Sequence, residues 1–98
     1  MLATAEASGH VTINERNPTD KFQRFVDEKI RHWLKKNDFQ DGPIEYEVAF
    51  FDEDVLGEVS CMIVVQNGAR MWRSWETAEN PRMALSKSME HLQNDPTH

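Results

Sequence analysis

Large apolar side chains recur at Phe22, Phe25, Val26, Ile30, Trp33 and Leu34. That spacing of i, i+3, i+4, i+8, i+11 and i+12 lines one side of an α-helix, and it is the most regular signal in the chain. Pro18-Thr19-Asp20 supplies a start, with Thr19 or Asp20 as N-cap. Lys35-Lys36-Asn37 supplies an end that places cations at the negative pole of the helix dipole. The opposite side carries Arg24, Glu28, Arg31 and Lys35, so the helix is core on one side and mostly basic on the other.

Downstream the period changes from 3.6 to 2. Ile44, Tyr46, Val48 and Phe50 alternate with Glu45, Glu47, Ala49 and Phe51, which predicts a half-buried strand entered through Gly42-Pro43. Two further strands, over residues 59–66 and 69–77, flank Asn67-Gly68, a dipeptide suited to a type I′ hairpin because both central residues need positive φ. A second helix is predicted with Asn80 as N-cap and Pro81 in its first turn. It places Leu85, Ser88, Met89 and Leu92 on the core and runs to Asn94-Asp95-Pro96. Ahead of the first helix, residues 2–8 and 10–14 could each supply a strand, with Gly9 as a bend between them. The predicted fold is α+β: a two-layer β-α-β-β-β-α sandwich with both helices on one face of a mostly antiparallel sheet, similar to a double-stranded RNA-binding domain.

Ninety-eight residues suit one domain spanning 1–98, with residues 93–98 as a frayed tail. A large enzyme is excluded. The longest apolar run, Cys61-Met62-Ile63-Val64-Val65, is far short of the roughly 20 residues that span a bilayer. The first residues lack the basic and apolar regions of a signal peptide, and Cys61 has no second cysteine to pair with. A cytoplasmic protein is therefore expected, with no membrane contact.

The formal net charge of -6 argues at first against nucleic acid, since phosphate binding needs concentrated positive charge. The placement of the charge changes that picture. Residues 38–58 hold eight acids and no Lys or Arg. The segments on either side are net basic: Lys21, Arg24, Lys29, Arg31, Lys35 and Lys36 before it, and Arg70, Arg73, Arg82 and Lys87 after it. A bipolar surface of this kind can offer a basic patch to phosphate while its acidic side limits nonspecific association.

Taken with particular residues, the element order resembles the hibernation-promoting factor and ribosome-associated inhibitor family, small cytosolic proteins of bacteria and plastids. The resemblance rests on Gly9-His10 near the end of the first strand, the amphipathic helix, and the acidic strand and loop from Tyr46 through Asp54. It extends to the last helix, where Ala84, Leu85 and Leu92 fit the family pattern while Arg82, Ser86 and His91 depart from it. The resemblance implies binding to the small ribosomal subunit across the channel used by messenger and transfer RNA, blocking translation in stressed or resting cells. It implies no catalytic chemistry and no cofactor. Carried over by position, the RNA-binding candidates are Lys21, Arg24, Arg31, Lys35 and Lys36 on the first helix, with Arg82 and Lys87 on the second. Longer members dimerise through an extra carboxy-terminal domain that has no counterpart here, so a short form is expected.

Other residues admit a competing reading. Trp33 belongs to the core stripe, but Trp72 and Trp75 lie three apart on a strand and so face opposite sides of the sheet. An exposed tryptophan there could stack on a base or anchor a protein interface, with Arg70 and Arg73 beside it. The alternatives are thus a protein-binding adaptor or inhibitor that uses acidic residues 38–58 to mimic nucleic acid, and a module of the double-stranded RNA-binding type. No metal site is expected, because His10, His32, His91 and His98 are scattered and Cys61 has no neighbouring thiol. Cys61 sits in an apolar run and is expected to be an inert buried thiol. Asp52, Glu53 and Asp54 are best explained as a solvated loop, since the spacing of a calcium loop is lacking.

Overall fold

The computed structural model describes residues 7–37, 39, 42–52 and 57–94. Among these the elements run β1 (Ala7–Ile13), α1 (Asp20–Lys36), β2 (Ile44–Asp52), β3 (Val59–Asn67), β4 (Arg70–Ala78), α2 (Pro81–Glu90) and a two-residue β5 (Gln93–Asn94). The strands form one sheet in the order β1-β2-β3-β4-β5. β1 and β2 are parallel and the other pairs antiparallel, since the β1 to β2 connection is a helical crossover and not a hairpin. The α+β sandwich in the order β-α-β-β-β-α is therefore present, with β5 added.

Both helices sit on one face of the sheet. α1 contributes buried Val26 and Ile30, and α2 contributes Ala84, Leu85 and Ser88. These pack on the inward positions of every long strand, namely Val11, then Ile44, Tyr46, Val48 and Phe50, then Val59, Cys61, Ile63 and Val65, and Trp72. Phe22, Phe25, Trp33 and Leu34 close the margins of this core half-buried. Burying one side of α1 and one face of each strand is what the two periodicities require.

Both helix starts are as the sequence predicts. The Thr19 hydroxyl accepts from the Phe22 amide at 3.2 Å, and the Asn80 side chain accepts from the Met83 amide at 2.9 Å ahead of Pro81. Three details differ from the sequence expectation. Gly9 lies inside β1 and makes no bend, because a Cβ there would fall 1.9 Å from the Tyr46 ring that crosses it. Residues 2–6 lie outside the described residues.

The β3–β4 turn is Gly68-Ala69, not Asn67-Gly68: Asn67 pairs with Arg70 as the last residue of its strand, and positive φ occurs at Gly68 alone (62°). A glycine with positive φ at the first central position belongs to a type II′ turn. Asn67 is instead fully buried and donates to the Pro43 carbonyl at 3.3 Å. Positive φ at two successive residues, the type I′ requirement, occurs at Asn14 (50°) and Glu15 (65°). There Ile13 and Arg16 exchange backbone hydrogen bonds of 2.8 and 3.0 Å.

Finally, α2 stops at Glu90 and does not reach Asn94; Leu92 is still buried, and Gln93–Asn94 pairs with β4 at Arg73 and Trp72. The sheet captures these backbone groups where a longer helix would have carried them away from β4. Asp95 and Pro96 lie outside the described residues. Among the described residues no helix is long and apolar enough to cross a membrane.

Candidate functional site

The basic candidates on α1 are all exposed. Because α1 buries the Val26 and Ile30 side, Lys21, Arg24, Arg31 and Lys35 fall together on its outer surface, with Glu28 among them. Lys36 lies around the helix from that stripe, on the flank shared with Phe25 and Lys29, about 100° being turned per residue.

A groove of about 440 Å³ opens between the first half of α1 and the start of α2, lined by Thr19, Lys21, Phe22, Arg24, Phe25, Glu28 and Arg82. Three of the seven RNA-binding candidates therefore meet in one place: Lys21, Arg24 and Arg82. Phe25 holds Arg82 there. Its ring lies under the Arg82 guanidinium, 4.5 Å from the centroid, and also within 5.7 Å of the Lys29 ammonium. A cation held over a ring face loses part of its freedom yet keeps its outward N–H donors for an anion. Lys29 is thus a member of the basic layer beyond the candidates the sequence offers, and its i, i+4 relation to Phe25 is the local signal for it.

Lys87 does not join this cluster. It stands five residues beyond Arg82, about 140° around the helix, and its ammonium donates to the Thr77 carbonyl at 3.1 Å, on the β4 side of α2. Arg31, Lys35 and Lys36 extend the basic surface towards the end of α1 without lining the groove.

The orientation of α1 is set from its other flank. The Tyr46 hydroxyl donates to Asp27 at 2.7 Å across the top of Gly9. Burial, reinforced by the neighbouring Asp27 carboxylate, pushes the Tyr46 phenol up to about 12. The bond needs the neutral phenol, and it fixes which side of α1 faces outward.

Two acids of β2 go to the opposite side of the sheet. Glu45 and Glu47 are exposed on the face without helices. Asp52 closes the end of β2, accepting from the Asn14 amide at 2.8 Å while its own backbone N–H donates to Asn14 at 2.9 Å. Asp38, Asp41, Glu53 and Asp54 lie outside the described residues. The segregation seen along the sequence is thus expressed in part as a difference between faces: α1 carries six Lys and Arg against Asp20, Asp27 and Glu28, while the open face carries Glu45 and Glu47 beside Arg73.

The two strand tryptophans do face opposite ways. Trp72 is 5% exposed on the helix side, packed against Trp33 and Phe39 with centroids at 6.0 and 4.9 Å. The Arg70 guanidinium covers it at 4.7 Å. Trp75 is 55% exposed on the open face, stacked on Phe51 at 5.7 Å with the rings 8° from parallel. Of the four interface candidates, Arg73 and Trp75 share one surface, while Trp72 and Arg70 belong to the core margin on the other.

Cys61 is fully buried, and burial pushes its thiol up to about 12. A thiolate nucleophile is disfavoured there. Among the described residues no group of three or more His, Cys, Asp or Glu converges as a metal site would require.

No family model matches the chain, and no curated protein matches it in sequence. Solved structures do. The N-terminal domain of protein Y from Thermus thermophilus superposes with a TM-score of 0.67 at 15% identity, over 87% of this chain and 88% of that one. A ribosomal subunit interface protein from Coxiella burnetii superposes with a TM-score of 0.63 at 9% identity, over 84% of this chain and 85% of that one. These likenesses bear out, at the level of the fold, the resemblance drawn from the sequence.

Proposed function

We propose that the protein associates with the ribosome, binding small-subunit ribosomal RNA through the basic layer of α1 and the start of α2, and that it restrains translation as a hibernation-type factor. The observation that carries this reading is the convergence of Lys21, Arg24 and Arg82 on one groove floored by Phe22 and Phe25, with Glu45 and Glu47 removed to the far face. A groove of spaced cations suits tracking a phosphate backbone, and its local charge outweighs the net charge of the chain because screening confines the interaction to about 10 Å or less. The structural likeness to a ribosomal subunit interface protein adds support. The role is binding and not catalysis.

The test is co-sedimentation with purified small ribosomal subunits at low and high salt. The wild-type chain is expected to pellet with subunits at low salt and to be released as salt rises. A Lys21→Glu, Arg24→Glu, Arg82→Glu variant is expected to bind at least about tenfold more weakly, while Lys87→Ala changes little. Failure of the wild-type chain to bind at low salt overturns the proposal.

A further inference from the structure

The face of the sheet away from the helices has an apolar centre with charges arranged in rows. One row crosses the sheet as Glu47, Val64 and Arg73, and the next as Ala49, Met62 and Trp75. Met62, Val64 and Met71 are half-buried there, and Trp75 is the most exposed large apolar side chain among the described residues. Met62, Val64, Arg73 and Trp75 border a shallow depression of about 370 Å³. Exposed β2 positions on this face are acidic, Glu45 and Glu47, whereas β4 presents Arg73.

We propose that this open face is a self-association surface, on which a second copy of the chain packs sheet to sheet about a two-fold axis running roughly along β3. The charge pattern selects this occupant. Such an axis lays β2 of one copy over β4 of the other, and because Glu47 and Arg73 share a row, it brings Glu47 of each copy to Arg73 of its mate. It also sets Met62 and Val64 against their counterparts on β3 of the mate, and Trp75 over the mate's Ala49. An isologous contact of this kind is self-complementary and closed, and aligned packing of two sheets is a standard arrangement. Nucleic acid suits the face poorly: Glu45 and Glu47 repel phosphate, and one side of the Trp75 ring is already stacked on Phe51. Four strands about 23 to 30 Å long and 4.8 Å apart give a footprint of roughly 500 Å² per copy, at the small end of specific interfaces, so the dimer is weak and concentration-dependent. The inference stands on the open face alone and is independent of what the helices bind.

Sedimentation equilibrium of the full chain from about 5 to 500 μM is the test. The wild-type chain is expected to shift from monomer towards dimer over that range, and Trp75→Glu to raise the dissociation constant at least about tenfold. Glu47→Lys and Arg73→Glu are each expected to weaken association. An equimolar mixture of the two should restore it, because each chain then meets an opposite charge on its mate at both contacts. Circular dichroism of each variant checks that the fold is retained. A wild-type chain monomeric at 500 μM overturns the proposal, as does a mixture that associates no better than either variant alone. Quenching of Trp75 fluorescence by a single-stranded oligonucleotide, with the protein remaining monomeric, would overturn it in favour of base stacking.

Discussion

Gly9 shows how one absent side chain organises its surroundings. The Tyr46 ring occupies the space of a Cβ at position 9, and through that position its hydroxyl reaches Asp27 on α1. Gly9→Ala is expected to destabilise the fold by about 2 kcal/mol through overpacking. For a domain of this size that lowers the melting temperature by about 10 °C. The penalty should shrink when Tyr46 is first changed to Leu, which a double-mutant cycle by thermal denaturation would measure. Tyr46 and Cys61 also set the alkaline limit of stability. Both are held neutral in the fold, with pKa values raised to about 12 from ordinary values near 10 and 9. Their contribution is complete below the ordinary value and is lost as pH rises through the folded one. Stability should therefore fall between about pH 9 and 12, Cys61→Ala removing the part that begins near pH 9 and Tyr46→Phe the part that begins near pH 10. Urea titrations across that range would show it.

For the helices, capping decides where the chemistry is displayed. Asn80 accepts from Met83, and Pro81 follows in the first turn, so Arg82 emerges at the start of α2 beside Phe25. Asn80→Ala is expected to cost about 1 kcal/mol and to lower the melting temperature by about 5 °C. Reduced hydrogen-exchange protection over α2 would accompany it. Caps were legible in the sequence because they depend on three or four adjacent residues. The hairpin was legible as an element, yet its turn was displaced by one residue. Asn-Gly carries the local preference for a type I′ turn, but burial of Asn67 and its bond to Pro43 hold it in β3, and the turn moves to Gly68-Ala69. A tertiary contact thus outweighed turn propensity. Likewise α2 ends before its predicted limit, because the pairing of Gln93–Asn94 with β4 is not encoded in helical periodicity.

Across the protein as assembled, what counts is how the charge is partitioned. A net charge of -6 coexists with a net-basic α1, whose six Lys and Arg outnumber Asp20, Asp27 and Glu28, while β2 points Glu45 and Glu47 to the other side of the sheet. Salt dependence gives the co-sedimentation experiment its quantitative form. Each phosphate contact contributes about 0.7 to 0.9 to the slope of log affinity against log salt. If Lys21, Arg24 and Arg82 each engage a phosphate, their combined reversal should flatten the slope by roughly 2 to 3. Lys87→Ala should leave it nearly unchanged, since that ammonium is held against Thr77.

The amphipathic stripe of α1, the alternation in β2, the helix caps and the opposed facing of Trp72 and Trp75 were all present in the order of residues, because each follows from a local period or a neighbouring pair. The angle separating Arg82 from Lys87 was implicit there as well, in their spacing of five. Which tryptophan is covered depended on which side of the sheet the helices occupy, and the convergence of Lys21, Arg24 and Arg82 depended on how two distant helices approach. These are long-range outcomes of burying Val26, Ile30, Ala84 and Leu85 on a single sheet face, and no local period specifies them.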